Sequence, residues 1–303
     1  MKVVTHTDLD GICCAALFLR KYDFKVDIIY ATVKEAGELS RTGFYTDYTC
    51  DLPKIGFSVN IDHHQSNYEK LKESNRLSQE DIVDPTAASA TDLVFEFLQQ
   101  SGDSIAEEIK EIGHLADIAL LPSIYEPLQI VLSMNSDNLD ILRQISELLA
   151  RKGNRILSSK WLEEKFDKIS SIYVETKKTI KDFLAMITSF PRILIIDSRQ
   201  AIHSKLAKEV FQPLFEQNVA VIALIYSKSS EEPLRVSFRV TKSEQLLYDV
   251  SIVARAFGGG GHRMAAACSP KSEEIPEILI QELEKIALQG DDIKYINLRN
   301  NES

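Results

Sequence analysis

The sequence predicts an α/β fold with a mostly parallel sheet in its N-terminal half. Three features predict it. Short β-branched runs alternate with segments of helical spacing over the first 100 residues, the pattern of βαβ units. Residues 104–188 then switch to almost unbroken helical spacing. After Pro191 the β-branched runs return.

Taken in order, Lys2–Thr5 (KVVT) is a short buried strand ending at a polar turn. Residues 12–22 (ICCAALFLRKY) carry apolar side chains at helical spacing, 25–32 (KVDIIYAT) alternate as a strand, and 34–40 suit a short helix. Residues 44–50 and 56–61 are two further strands, and 86–100 a helix started by Asp84-Pro85. Residues 155–187 form one or two extended helices. Strands are expected at 192–197 (RILIID), 220–226 (AVIALIY) and 234–241 (LRVSFRVT). An apolar helix at 251–257 leads into a glycine run, 272–288 make a closing helix, and the polar end from 297 frays. The chain therefore divides into a domain at 1–150, a helical connector at 151–189 and a smaller domain at 190–303.

The length of 303 residues suits two domains. A net charge of −10 argues against coating duplex nucleic acid, but not against a small phosphorylated ligand. No run approaches the roughly 20 apolar residues of a membrane helix, and the N-terminus has no apolar signal-peptide core. Four cysteines without a CxxC pattern fit a reducing cytosol, so a cytoplasmic protein is expected.

The chemistry-bearing residues fall where strands end. His6, Asp8 and Asp10 (HxDxDG) follow the first strand, and alternate residues of an extended segment point the same way. Asp51 follows the third strand and Asp62-His63-His64 the fourth. In open parallel sheets, ligands bind outside the carboxyl ends of strands. Imidazole and carboxylate without thiolate suit Mn²⁺, Fe²⁺ or Mg²⁺ better than structural zinc. So many carboxylates together repel unless cations neutralise them, which two divalent ions sharing a carboxylate would do. A second constellation is GGGGHRMAAA at 258–267, where glycines let backbone N–H groups approach an anion. His262 and Arg263 could add charged contacts to phosphate, and Arg239, on the strand carrying Ser237, is a candidate phosphate clamp.

These motifs resemble those of the DHH phosphoesterase superfamily, over nearly the whole chain. THTDLDG resembles its first motif, Asp51 its second, Asp62-His63-His64 the third that names it, and GGGGHRMAAA its C-terminal DHH-associated domain. The resemblance implies a parallel-sheet catalytic domain, a smaller C-terminal α/β domain with a mixed sheet, and an active site in a cleft between them. It implies a fourth motif at Asp117, with His114 one turn earlier. One ion, most simply Mn²⁺ with Mg²⁺ or Fe²⁺ as alternatives, would lie on His6, Asp8 and Asp51. A second would lie on Asp10, Asp51, His63 and Asp117. His64 would meet the substrate phosphate and Asp62 would orient an imidazole. Gly259, Gly260, Gly261, His262 and Arg239 would bind the substrate's other end. The activity implied is metal-dependent hydrolysis of short single-stranded oligonucleotides, RNA before DNA, to nucleoside monophosphates. Alternatives within the family are a phosphodiesterase for linear or cyclic dinucleotides and a phosphatase for 3′-phosphoadenosine 5′-phosphate. In another class stands a non-catalytic replication scaffold. The helical region at 104–188 offers a face for a homodimer.

Overall fold

The first sheet is built from β1 (Lys2–Thr5), β2 (Asp27–Tyr30), β3 (Tyr48–Cys50), β4 (Val59–Asp62) and β5 (Ile82–Val83), in the order β2-β1-β3-β4-β5. Every pair is parallel. The computed structural model describes residues 1–118, 120–199, 201–227, 234–270 and 275–298. The chain forms two compact units, Met1–Ile169 and Ser170–Ser303, and the division falls inside the segment read as the connector.

In the first unit, α1 (Leu9–Lys21), α2 (Val33–Arg41), α3 (Gln65–Glu73), α4 (Ala90–Phe97) and α5 (Ser104–Asp117) interleave with or follow the strands. Helices α6 (Glu126–Met134), α7 (Leu139–Lys152) and α8 (Lys160–Met186) follow. Both faces of the sheet are covered, as a parallel sheet requires. Val3 joins a core with α1, α4, α5 and α7, whereas its neighbour Val4 packs on the other face with Ala36 of α2, Leu52 and Ile55. Helix α1 is buried along nearly its whole length, which is why its sequence is apolar all round, Cys13 and Cys14 included. The expected extended segment from His6 to Asp10 is shorter than the alternation predicted. Asp8 is the extended N-cap of α1, its carboxylate accepting from the Gly11 amide at 3.1 Å, so Asp10 already lies in the first helical turn.

In the second unit, β6 (Ile193–Asp197), α9 (Phe211–Phe215), β7 (Val221–Tyr226), β8 (Arg235–Val240), α10 (Val250–Ala256), β9 (Gly260–Gly261), β10 (Ala265–Cys268), α11 (Ile275–Glu284) and β11 (Ile293–Asn297) follow in order. The sheet runs β11-β6-β7-β8-β10-β9 and is mixed: β11, β6 and β7 are parallel, and the remaining pairs are antiparallel. Residues 272–274 of the expected closing helix, and 299–303 of the polar end, lie outside the described residues. Helix α8 contributes Leu162 to the first core and Ile180 and Phe183 to a core of the second unit. Among the described residues no helix is long and apolar enough to cross a membrane.

Candidate metal centre and glycine hairpin

Register creates the site. Thr5 pairs with Cys50, and Cys50 with Ile61, on three adjacent parallel strands. The next residue on each strand is therefore His6, Asp51 and Asp62, level with one another at the carboxyl edge. Asp51 leaves β3 in a left-handed conformation (φ 55°), which asparagine and aspartate tolerate better than most residues and which still costs strain. That turn keeps its buried carboxylate among the other two strand ends. His6 Nδ1 lies 2.7 Å from Asp8 Oδ2 and 3.4 Å from Asp51 Oδ2. His63 Nε2 lies 3.1 Å from Asp117 Oδ2, 3.6 Å from Asp51 Oδ1 and 3.9 Å from Asp10 Oδ2. His6–Asp8–Asp51, Asp10–His63–Asp117 and Asp51–His63–His64 thus form three candidate ligand groups, with Asp51 reaching His6 through one oxygen and His63, and His64 at 3.5 Å, through the other.

Four atoms at the centre, His6 Nδ1, Asp51 Oδ1, Asp51 Oδ2 and His63 Nε2, are buried without an aligned hydrogen-bond partner. Native folds rarely leave such atoms orphaned. Four together, all metal-ligand types, fit a site for divalent cations. The electrostatics agree. Burial, then the carboxylates of Asp51, Asp117 and Asp8, push the Asp10 carboxyl well above its ordinary range. Asp117 rises to about 6, because burial and the Asp51 and Asp8 charges outweigh His63. Burial pulls His63 down, but Asp51, Asp117 and Asp10 outweigh it and raise the ring to about 9. His6 is likewise raised well above the ordinary value, Asp8 and Asp51 outweighing burial. The cluster retains protons to balance its negative charge, a balance that cations would provide instead.

The surroundings position these groups. Asp10 accepts from the amides of Ala90 and Thr91, at 2.8 and 2.9 Å, and from the Thr91 hydroxyl, so the N-terminus of α4 holds it. Thr91 can stand there because α5 passes close by at Gly113: a Cβ on that glycine would lie 2.4 Å from Thr91 Oγ1. Gly11 has a similar reason, since a Cβ would sit 2.4 Å from the His6 carbonyl oxygen. Asp62 is fully buried and lies 2.8 Å from His64 Nδ1, while Asn67 Nδ2 donates to its other oxygen at 2.6 Å. His114 is placed elsewhere, its Nδ1 2.7 Å from Asp92 Oδ2. The contributions of Thr91, Gly113 and Asn67 were not marked by any sequence motif.

In the second unit the glycine run forms the β9–β10 hairpin, closed by mutual bonds between His262 and Ala265. A Cβ on Gly259 would lie 2.2 Å from the Ala267 carbonyl oxygen, and one on Gly261 2.4 Å from that of Ala265. These two glycines therefore serve close strand packing. Gly260 is different: nothing lies within 4 Å of its added Cβ. Arg263 is engaged structurally, donating to the carbonyls of Tyr248 at 2.9 Å and Leu246 at 3.0 Å. Arg239 pairs in register with Ala265 and is half-buried, its guanidinium 5.5 Å from the Phe211 ring centre. His262, beside the hairpin turn, is also half-buried.

The fold is shared with solved phosphoesterases. A pGpG-specific phosphodiesterase, PggH from Vibrio cholerae, superposes with a TM-score of 0.64 at 16% identity, over 94% of this chain and 98% of that one. RecJ from Thermus thermophilus in complex with Mn²⁺ gives 0.57 at 12% identity, over 98% of this chain and 53% of the longer RecJ chain. Residues 194–288 match the DHHA1 domain family. No curated protein matches the sequence. The chain thus shares the fold of these phosphoesterases, and its residues 194–288 carry the DHHA1 domain.

Proposed function

We propose that the chain is a divalent-metal-dependent phosphodiesterase that hydrolyses short single-stranded oligonucleotides, RNA by preference, to nucleoside monophosphates. The observation that carries this reading is Asp51: a buried carboxylate with two unpartnered oxygens, one facing His6 and the other His63. His6, Asp8 and Asp51 would hold one ion, and Asp10, Asp51, His63 and Asp117 the other. Such ions, Mn²⁺ before Mg²⁺ or Fe²⁺, supply Lewis acidity and charge neutralisation to phosphoryl chemistry.

The chain's own groups do the rest. Asp62 fixes the His64 ring through Nδ1 and favours its protonated form, so Nε2 is the atom assigned to the scissile phosphate or the leaving oxygen. Burial alone would lower the His64 pKa; Asp62 and Asp51 raise it instead. In the second unit, Gly260 and His262 of the hairpin and Arg239 of β8 are assigned to an anionic group of a ligand, with Gly259 and Gly261 shaping the hairpin.

A linear dinucleotide as the preferred length is a second reading. It is favoured by the match, over 98% of its length, of a phosphodiesterase named for pGpG. Purified protein with Mn²⁺ and 5′-labelled RNAs of two to twenty nucleotides ranks the two. Cleavage that weakens with length supports the first reading, and cleavage confined to two nucleotides supports the second. Phosphate release from 3′-phosphoadenosine 5′-phosphate with every diester intact contradicts both. An inert protein that takes up no Mn²⁺ would be the scaffold instead.

A further inference from the structure

We infer that Asn60 is a positioning residue, an amide clamp that holds the strained turn presenting Asp51 to the metal centre. The inference rests on the two-ion reading for its functional meaning, but the clamp itself is built from contacts outside the ligand set. Asn60 lies in the middle of β4 and is fully buried. Its Nδ2 donates to the Thr49 carbonyl at 3.1 Å and to the Leu52 carbonyl at 3.0 Å. Those two carbonyls bracket Cys50 and Asp51, so one side chain ties together both ends of the segment with the left-handed residue. Only an amide nitrogen supplies two donors at that point, because the reversed amide would set its oxygen against two carbonyl oxygens.

The cost of the arrangement is visible. Asn60 Oδ1 is buried with no partner, a desolvation penalty it shares with Gln100 Oε1, so what sets Asn60 apart is the pair of carbonyls its nitrogen ties together. The clamp is itself anchored. The Asn60 backbone N–H donates to Asp81 Oδ1 at 2.8 Å, and both Asp81 oxygens meet Lys54 Nζ, at 2.9 and 2.7 Å. Lys54 follows closely after Asp51 in the same loop, and its amine and the Asp81 side chain are buried. The exit of β3 is thus pinned at Thr49 and Leu52 by Asn60, and further along at Lys54 by Asp81. Without the clamp, Asp51 can relax from its positive φ and its oxygens leave the line between His6 and His63.

The test compares Asn60→Leu with Gln100→Leu, the loss of another buried amide that donates to a carbonyl, that of Leu17. Asn60→Ser, which keeps one donor, is made alongside in case the leucine variant does not fold. Backbone hydrogen exchange is followed first, in chelator. The clamp predicts protection lost selectively at residues 50–52 in the Asn60 variants and not in Gln100→Leu. Unchanged exchange there, or loss spread evenly through the unit, overturns it. Mn²⁺ affinity is then measured by calorimetry well below each melting temperature. The expected loss is about 10–100-fold for Asn60→Leu, smaller for Asn60→Ser and negligible for Gln100→Leu, the scale typical of groups that orient ligands. Wild-type affinity in the Asn60 variants, despite a lowered Tm, reduces Asn60 to a packing role and contradicts the inference. Wild-type protein that binds no Mn²⁺ refutes the two-ion reading alone, and the exchange data still decide the clamp.

Discussion

The two motif-bearing regions use their signature residues in opposite ways. At the carboxyl edge of the first sheet, the motif side chains converge and leave central ligand-type atoms without hydrogen-bond partners. At the glycine hairpin, several motif residues are consumed by the fold: Gly259 and Gly261 allow backbone contact with β10, and Arg263 braces the chain at Leu246 and Tyr248. Polar groups left unsatisfied at a cost point to a ligand, whereas groups fully engaged by their own backbone point to architecture. On this criterion the strand-end cluster, rather than the hairpin, is the candidate site for chemistry. The hairpin presents Gly260 and His262, and the adjoining strand β8 Arg239, as candidates for substrate.

Substitutions can break or sharpen that contrast. The largest effect is expected for Asp51→Ala, which removes the carboxylate proposed to serve both ions. Steady-state turnover should fall by at least about 10³-fold, the scale of losing preorganised charge stabilisation. Asp62→Ala leaves every proposed ligand in place but frees the His64 ring and removes the acceptor of Asn67 Nδ2, so kcat should fall about 10–100-fold with Mn²⁺ uptake retained. Equal, mild losses for the two would dissolve the distinction between ligand and orienting residue.

The hairpin should respond in stability instead. Gly259→Ala forces a Cβ to 2.2 Å from the Ala267 carbonyl oxygen and should cost about 1–3 kcal/mol in denaturant unfolding, as overpacking does. Gly260→Ala meets no neighbour within 4 Å and should change stability by no more than about 0.5 kcal/mol. A raised KM with unchanged stability in Gly260→Ala would place substrate against that glycine.

The Lys54–Asp81 pair gives a pH-dependent contribution. Burial pushes the Asp81 carboxyl up, but Lys54 and the Ser78 and Asn60 amides outweigh it and hold the group below its ordinary value of 3.8. A lowered folded pKa stabilises fully above the unfolded value and loses that contribution as pH falls through the folded one. The Tm gap between wild type and Asp81→Asn should therefore be constant near neutrality and shrink as pH falls below 3.8. A gap that grows in acid would reverse the assignment.

Much of the site was legible because parallel strands end level with one another. The run KVVT marks β1 at its observed bounds, and the polar residues after the first, third and fourth strands meet once those strands are neighbours. Asp10 was harder to place, since its position depends on where Asp8 caps α1. Strand β5 has two residues, β10 is alanine-rich, and β11 falls between the segments read as closing helix and polar end. None carries a periodic signal long enough to read. Thr91, Gly113, Asn60, Lys54 and Asp81 stayed hidden for a different reason. Their roles exist only through contacts between elements distant in sequence or across a turn, and no spacing rule marks a lone buried asparagine or lysine.

The account stands most directly on a calorimetric Mn²⁺ titration of the metal-free wild type beside Asp51→Ala. It predicts two ions per chain for the wild type, and loss of tight binding at both positions when the shared carboxylate is removed. A wild type that binds no ion, or an Asp51→Ala variant that still binds two with unchanged affinity, would contradict it.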